Sequence, residues 1–310
     1  MIGILLTNLG SPNEPTTKAV RKYLKDFLSD PRVVDLPRWQ WLPVLHGVIL
    51  NVRPKKVAQT YSKIWGDSTV SPLVQTCLDI GDKLKSLENI NLAVGMCYGE
   101  PSISSAIKSL GKIDKLIILS MFPQNSSATN AAIFDAVHKH YSKIKHVPSM
   151  NFINGYYDHE LYIDALANSV NQYSADNKLI ISFHSLPQRY TKEGDVYQHQ
   201  CEVTAKLLVE KLKLNDDQWQ MGYQSRFGRE PWLEPNMSEI LQQLPKDGVK
   251  SINIISPGFS ADCLETLEEL VIADKQKFIN AGGVTFNYIP ALNDSDDHIK
   301  LLVELINQAK

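Results

Sequence analysis

The chain has 310 residues, of which 43% are hydrophobic and 21% charged, and its formal net charge is −2. The composition is typical of a soluble globular protein, and the length favours two domains over one. A chain without excess basic charge lacks the surface that a phosphate backbone requires, so we expect no nucleic-acid partner. The N-terminal sequence MIGILLTNLGSP has no charged start and only a short apolar run, which predicts a strand and not a signal peptide.

Cysteine usage points to a reducing compartment. The four cysteines lie far apart and form no CxxC pair, so their spacing matches neither a disulfide framework nor a zinc or iron–sulfur motif. Since no run reaches the roughly 18 apolar residues that a membrane-spanning helix needs, we expect a cytoplasmic protein. Each cysteine is predicted to be a small buried apolar residue; they are Cys77, Cys97, Cys201 and Cys263.

Short apolar runs that predict strands alternate with amphipathic helical patterns along the chain. Residues 16–30 predict a helix with Val20, Tyr23, Leu24, Phe27 and Leu28 on one face. Another helix is predicted to begin with Ser71 as its N-cap and Pro72 as its first residue. The predicted strands are residues 2–7, 92–97, 115–121, 151–155, 179–183, 218–222, 251–256 and 284–288.

Alternating strands and helices predict parallel sheets that are covered by helices on both faces. Two sets of four strands therefore indicate two similar α/β domains. We place the first at residues 1–160 and the second at residues 161–294. The last helix, residues 295–310, fits the pattern of either domain.

The loops after the predicted strands are where a ligand is expected, because open parallel sheets bind ligands at the carboxyl ends of their strands. These loops contain neither GxGxxG nor GxxxxGK[ST], so a nucleotide site has little support. Their aromatic residues instead suit a large, flat, apolar ligand. The residues concerned are Phe122, Tyr223, Phe227, Trp232 and Phe259.

A single histidine, His184, ends the strand in LIISFHSLPQRY, residues 179–190. It is either a structural histidine bonded to a neighbouring loop or a base or metal ligand. A second candidate, Glu265, follows another strand of the same half. Asp262, Glu265 and Glu269 would share one face of an α-helix, which is either a solvated face or part of a site. Because both features lie at the same edge of one predicted sheet, we expect them to face one cleft.

Four motifs, in this order, make the chain resemble the ferrochelatases, which insert ferrous iron into a porphyrin: NLGSP, FHSLP, YQSRFGREPWLEP and PGFSADCLETLEEL. The resemblance covers nearly the whole chain. It implies an α/β fold like that of the class II chelatases, with two Rossmann-like domains. Each domain would be a mainly four-stranded parallel sheet flanked by helices, with a porphyrin cleft between them. Residues 295–310 would return to complete the first domain.

The resemblance also implies roles for individual residues. His184 and Glu265 would be the central catalytic and metal-binding residues, and Asp262 and Glu269 would lie on the path of protons or iron. Whether His184 acts first as a base or as a metal ligand stays open. The implied porphyrin contacts are Arg53, Tyr61, Ser71, Phe122, Gln224, Ser225, Trp232 and Phe259.

The implied reaction inserts Fe²⁺ into protoporphyrin IX, releases two protons and gives haem b, the last step of haem biosynthesis. Ferrous iron would be a substrate, and no tightly bound cofactor is expected. Some family members hold a [2Fe–2S] cluster, but Ser127 stands at the internal cysteine position and no cysteine follows Cys263, so no iron–sulfur cluster is expected. Two alternatives remain: a non-catalytic tetrapyrrole or haem carrier on the same fold, or a chelatase for another metal or porphyrin, such as cobalt or coproporphyrin.

Residues 36–50, LPRWQWLPVLHGVIL, crowd apolar side chains into a short segment with two prolines. Such a run is typical of a segment packed into the core, whereas the resemblance implies a lip over the porphyrin mouth. Trp39 and Trp41 beside Arg38 suit an interface with one apolar and one wet side. A segment of about 15 residues is too short to span a bilayer, so we expect at most weak contact with the inner face of the membrane.

Overall fold

The structure is a computed structural model that describes residues 1–88, 90–228 and 230–310. It contains two compact units. The first consists of Met1–Phe122, Ser126–Asn154 and Leu302–Lys310, and the second of Pro123–Asn125 and Gly155–Leu301. The division between the units therefore falls after residue 154, whereas the sequence placed it after residue 160.

The first unit is built on a four-stranded parallel sheet with the strand order β2-β1-β3-β4. Its two central strands are buried along almost their whole length, which is why they are continuous apolar runs. The strands are β1 (Ile2–Gly10), β2 (Leu92–Tyr98), β3 (Lys115–Ser120) and β4 (Ser149–Ile153).

The helices of the first unit follow the predicted patterns where capping residues mark their starts. The Ser71 hydroxyl accepts a hydrogen bond from the N–H of Val74 at 3.3 Å, and Pro72 is the first helical residue. The helices are α1 (Thr17–Leu28), α2 (Arg38–Val44), α3 (Leu50–Trp65), α4 (Pro72–Glu88), α5 (Ile103–Ser109) and α6 (Ala132–Tyr141), with π-helical turns at Leu45–Ile49 and Ser127–Ala131.

The second unit repeats the architecture on a parallel sheet with the order β6-β5-β7-β8. Its strands are β5 (Lys178–His184), β6 (Trp219–Gln224), β7 (Ser251–Ile255) and β8 (Thr285–Ile289). Its helices are α7 (Glu160–Val170), α8 (Gln188–Lys192), α9 (Tyr197–Leu212), α10 (Met237–Gln243), the π-helix Glu265–Asp274 and α11 (Lys275–Asn280). The last helix, α12 (Asp296–Ala309), belongs to the second unit up to Leu301 and to the first from Leu302.

In both sheets the strand order reverses at the first strand, since the second strand lies on one side of it and the third on the other. Ligands of doubly wound folds bind at this switch point, outside the carboxyl ends of the strands. In the second unit the switch point lies between β5 and β7. The strand β5 ends at His184, and the chain that follows β7 leads into Glu265, so the fold brings both to this place.

The backbone conformation of the NLGSP motif explains why its third residue, Gly10, is a glycine. Gly10 pairs with Tyr98 of the neighbouring strand and has φ of +93°, a conformation that residues with a Cβ rarely adopt. A Cβ on Gly10 would lie 1.9 Å from the carbonyl oxygen of Tyr98. Any other residue would therefore push β1 and β2 apart at their carboxyl ends.

Candidate active site

His184 is the last residue of β5 and is half-buried. Its Nδ1 lies 2.6 Å from the carbonyl oxygen of Ser185. A carbonyl only accepts, so Nδ1 carries a ring proton, and in the neutral imidazole Nε2 then keeps a lone pair. The ring meets that of Phe259 edge to face, with centroids 6.5 Å apart. His184 is thus oriented to offer Nε2 as a base or as a metal ligand.

The segment that carries the acidic residues is a π-helix, Glu265–Asp274, and not the α-helix that the sequence predicted. In a π-helix each N–H bonds to the carbonyl five residues earlier, so a turn takes about 4.4 residues. Its buried residues, Thr266, Leu270 and Asp274, accordingly recur at every fourth position. Glu265 and Glu269 have the same spacing and lie along one side of the helix.

Two neighbouring residues of the β6 end hold Glu269. Ser225 donates its backbone N–H to Oε1 of Glu269 at 2.9 Å and its hydroxyl to Oε2. The amide of Gln224 also donates to Oε2, at 3.3 Å. Three donors from one strand end therefore fix the direction of this carboxyl group.

Gln224 also connects His184 with the start of the π-helix. It pairs with His184 across the sheet, and its amide nitrogen donates to the backbone carbonyl of Glu265 at 2.9 Å. The hydroxyl of Ser182, inside β5, donates to the amide oxygen of Gln224 at 2.7 Å and so fixes the amide orientation. The carbonyl of Ser182 in turn accepts from the hydroxyl of Ser256 at 2.8 Å.

Burial raises the pKa of Glu269 above its ordinary value. The hydrogen bond from Ser225 and the charge of His184 work in the opposite direction, whereas Asp274 and Glu265 add to the rise in this pKa. Glu269 therefore binds a proton more tightly than an exposed glutamate does. A carboxyl group of this kind, beside a histidine, suits proton transfer.

Asp262 is not part of this carboxylate group, and its predicted place on the helical face with Glu265 and Glu269 is wrong. It precedes the π-helix, and its carboxylate accepts hydrogen bonds from Tyr288, Thr266 and Asn293. The face was predicted from α-helical spacing, which does not apply to a residue before the helix.

The aromatic residues of the second unit differ in how far their side chains are exposed to a ligand. Trp232 is tied to the loop after β5 by an antiparallel bridge with Pro187, and Phe227 meets its ring edge to face at 6.1 Å. Phe227 is exposed and Phe259 is half-buried. Tyr223 is buried in the core.

Four of the predicted porphyrin contacts lie in the first unit. Arg53 is exposed on α3, whereas Tyr61 is buried with its ring edge to face with Trp65, 5.9 Å away. Ser71 is buried, with its hydroxyl oxygen 2.6 Å from that of Ser11. Phe122 is half-buried and packs against the core of the first unit.

Sequence reasoning missed several residues that shape the site, namely Ser182, Ser256, Tyr288 and Asn293. One of them left a signal: Ser182 is a polar residue inside a strand that is otherwise apolar and buried, and such a residue needs a hydrogen-bond partner. For the other three, the sequence offers no comparable sign.

The ferrochelatase family profile matches residues 1–310. The chain belongs to the ferrochelatase family. It is therefore an enzyme of the lyase class, a metal chelatase. The family assignment agrees with the motifs from which the resemblance was drawn, and it confirms the enzyme class expected from them.

Curated relatives carry the same name over nearly their full length. Ferrochelatase 1 of Shewanella oneidensis is 46% identical, covering 99% of this chain and 95% of the relative. Ferrochelatase of Actinobacillus pleuropneumoniae serotype 3 is 47% identical over 98% of this chain and 97% of the relative. Ferrochelatase of Vibrio cholerae is 43% identical over the same shares.

Solved structures support the fold. The structure described as SirB from Bacillus subtilis with Fe³⁺ has a TM-score of 0.58 and 10% identity, covering 99% of this chain and 95% of that one. CbiX, described as the terminal enzyme for biosynthesis of sirohaem in denitrifying bacteria, has a TM-score of 0.51 and 10% identity, covering 100% and 99%. At such identities the likeness concerns the fold, and it confirms the class II chelatase architecture expected for a ferrochelatase.

Proposed function

We propose that the chain inserts Fe²⁺ into protoporphyrin IX, releases two protons and so forms haem b in the last step of haem biosynthesis, with His184 and Glu265 as the central residues. The observation that carries the assignment of roles is the orientation of His184. Its Nδ1–H is committed to the Ser185 carbonyl, which leaves Nε2 for chemistry at the switch point of the second sheet.

The reaction needs a base, because a free porphyrin carries two pyrrole N–H groups at the ring centre. An imidazole is suited to accept such a proton near neutral pH, and it can also lend its nitrogen to iron. In this proposal the Glu265 carboxylate balances the charge of the incoming ion. One imidazole and one carboxylate hold the ion less firmly than a closed cage of three or four side chains, so the ion can pass on to the porphyrin.

Glu269 is proposed to carry protons or iron between the site and solvent. It adjoins Glu265 on the π-helix, and burial raises its pKa, so the carboxyl group can pick up and release a proton. The contacts of Asp262 do not support the same role for that residue. Its carboxylate faces Tyr288, Thr266 and Asn293.

Porphyrin contacts are proposed separately for residues of the second unit and for residues of the first. In the second unit the half-buried Phe259, which adjoins His184, supports the role best. Trp232, Gln224 and Ser225 are more deeply buried and would shape the site chiefly by holding its loops and the acidic helix. In the first unit the exposed Arg53 suits a propionate by its charge and fork geometry, and Tyr61, Ser71 and Phe122 complete the proposed set.

Anaerobic incubation of the purified protein with Fe²⁺ or Zn²⁺ and a porphyrin tests the proposal. We expect metal-dependent turnover, followed by absorbance, with protoporphyrin IX preferred over coproporphyrin. Binding of porphyrin without turnover would support a carrier, and a preference for cobalt or for coproporphyrin would support the other alternative. No nucleic-acid partner is proposed, since the chain has no excess of basic charge.

We propose that the protein holds no tightly bound cofactor and no iron–sulfur cluster, so that iron is only its substrate. Cluster assembly requires thiolates. Burial raises the pKa of Cys77 and of Cys97 to about 12, and the pKa values of Cys201 and Cys263 are also raised well above the ordinary value by burial. Ser127 stands at the internal position where other family members ligate. The pure protein should contain no acid-labile sulfide, and finding sulfide would overturn the proposal.

Residues 36–50 are proposed as an apolar lip with weak membrane contact at the inner face. The helix α2 buries none of its residues, and Trp39 is 77% exposed. Trp41 and Arg38 hold the segment in place, since the indole N–H of Trp41 donates to the Leu28 carbonyl at 2.6 Å and Arg38 donates to the Ser29 carbonyl at 2.7 Å. No helix in the described ranges is long and apolar enough to cross a membrane.

Substitution of the two tryptophans one at a time tests the lip. Trp39→Ser should raise the KM for porphyrin severalfold and reduce sedimentation with anionic vesicles, with little loss of thermal stability, because Trp39 is exposed. Trp41→Ser is the comparison, and it should lower stability by removing a hydrogen bond and half-buried surface. A large loss of stability in Trp39→Ser with an unchanged KM would assign the segment to the core.

A further inference from the structure

The carboxylate of Asp262, in the loop before the π-helix, accepts hydrogen bonds on both of its oxygens. Oδ1 accepts hydrogen bonds from the Tyr288 hydroxyl at 2.6 Å and from the Thr266 hydroxyl at 2.8 Å. Oδ2 accepts from the amide of Asn293 at 2.8 Å, and the Asp262 N–H donates back to the amide oxygen of Asn293 at 2.8 Å. Asp262 is only 9% exposed, so these donors replace water around it.

The residues around Asp262 come from three separate elements. Tyr288 lies on β8, Asn293 in the loop between β8 and α12, and Thr266 in the first turn of the π-helix. One carboxylate therefore ties the start of the π-helix to the strand and loop beside it. A hydrogen bond to a charged group is stronger than one between neutral groups.

Asn293 is itself held on several sides. It has a left-handed φ of +47°, which asparagine tolerates better than most residues. Its N–H donates to the Ser260 carbonyl at 2.9 Å, and its carbonyl accepts from Nδ1 of His298 on α12. The loop is thus a fixed anchor for Asp262 and not a mobile neighbour.

Thr266 connects Asp262 to the helix that carries the acidic residues. It follows Glu265 directly, is fully buried, and its hydroxyl accepts the N–H of Cys263 at 3.0 Å while it donates to Asp262. These bonds set the direction in which the chain enters the π-helix. The side chain of Glu265 leaves the backbone one residue before this fixed point.

We propose that Asp262 and Asn293 form a latch that sets the start of the π-helix and so positions Glu265 and Glu269 at the site. Asp262 is on this view a positioning residue, and it neither relays protons nor binds iron. The proposal rests on the role of Glu265 put forward under the proposed function. It fits the chemistry of the contacts, because an amide and two hydroxyls donate to this carboxylate and hold it in place.

Hydrogen–deuterium exchange of residues 264–274 tests the latch without reference to activity. In the full chain, Asp262→Asn, Asn293→Ala and Tyr288→Phe should each raise exchange in this segment, by about tenfold or more for the first two. Tyr173→Phe is the matched control, because the Tyr173 hydroxyl donates to the Tyr288 carbonyl at 3.2 Å and does not touch Asp262. Unchanged exchange in Asp262→Asn and Asn293→Ala would overturn the latch.

Steady-state kinetics, measured well below each variant's Tm, then separate positioning from relay. Positioning predicts that Asp262→Asn and Asn293→Ala lower kcat by a similar factor, about tenfold, with the porphyrin KM unchanged. The double variant should be no worse than either single one. A loss of kcat confined to Asp262→Asn would show a relay and overturn the proposal, as would losses of Tm with kcat unchanged.

Glu265→Gln distinguishes failure of the latch from failure of the proposed function. If hydrogen–deuterium exchange rises as expected in the Asp262 and Asn293 variants but Glu265→Gln turns over at the normal rate, the latch is supported and the role of Glu265 is refuted. If Glu265→Gln is inactive but exchange is unchanged in the Asp262 and Asn293 variants, the role of Glu265 stands and the latch falls.

Discussion

Ser225 donates both its backbone N–H and its hydroxyl to the carboxylate of Glu269. It does so from a left-handed conformation, with φ of +63°, which a serine rarely adopts. The turn after β6 is therefore shaped to point both donors at one carboxylate. Strain of this kind persists where the surrounding contacts compensate for it, and it is common at functional sites.

His184→Ala should lower kcat roughly 10²–10⁴-fold, because it removes the imidazole whose Nε2 is free for proton transfer or metal binding. Folding and porphyrin binding should persist, as judged by thermal unfolding and by fluorescence titration with porphyrin. His199→Ala, at an exposed position on α9, is the matched control. Turnover near the wild-type rate in His184→Ala would refute the role of this residue.

Glu265→Gln should reduce turnover strongly, because it removes the charge beside the site while it keeps the shape of the side chain. Glu268→Gln removes the same charge from the same π-helix, three residues further on, away from Glu265 and Glu269. It should change the rate little. Parallel measurement of kcat for the two variants checks the prediction, and equal losses would mean that the charge of the helix as a whole matters and not the position of Glu265.

Glu269→Gln should make the folded state more stable at alkaline than at acidic pH, relative to the wild type. Burial raises the pKa of Glu269 in the folded state, so the folded state binds the proton more tightly than the unfolded chain. The wild type therefore loses stability as pH rises from the ordinary glutamate pKa through the raised one. Glutamine stays neutral and avoids this loss. Thermal unfolding at pH 4.5 and pH 8 should show a Tm gain of a few degrees only at pH 8.

His298 should make the protein sensitive to acid. It is fully buried on α12, and burial lowers its pKa to about 4. The unfolded chain binds a proton at the ordinary pKa of 6.5, so stability is full above that pH and falls as the pH drops from 6.5 to 4. The loss can reach about 3 kcal/mol. His298→Gln should flatten this part of the pH dependence of unfolding, whereas His199→Gln should not. An unchanged acid limb in His298→Gln would contradict the prediction.

The regular elements could be predicted from the sequence because their patterns are local. All eight strands overlap the runs that predicted them. The central strands are the clearest, since strands buried on both faces of a parallel sheet need apolar residues throughout. Pro72 begins α4 after the Ser71 cap because capping depends on neighbouring residues. The same alternation placed His184 at the end of a strand.

The sequence did not predict which helix type carries Glu265. The patterns of an α-helix and a π-helix differ by less than one residue per turn, so ten residues do not distinguish them. Contacts from distant parts of the chain fix the start of the π-helix, above all Asn293 with Asp262 and Gln224 with the Glu265 carbonyl. The position and the hydrogen bonds of Asp262 depend on these contacts. The α-helical spacing alone wrongly placed Asp262 on the same face as Glu265 and Glu269.

The sequence by itself determined the α/β class and the order of the strands along the chain, because these follow from periodicity. The central roles of His184 and Glu265 are predictions from the family motifs that carry them. Tertiary structure alone decided the tautomer of His184, the raised pKa of Glu269, the burial of Tyr223 and the exposure of Trp39. Each of these depends on which atoms from elsewhere in the chain surround the side chain. Hydrogen-bond partners and desolvation are properties of that surrounding, and spacing along a sequence does not specify it.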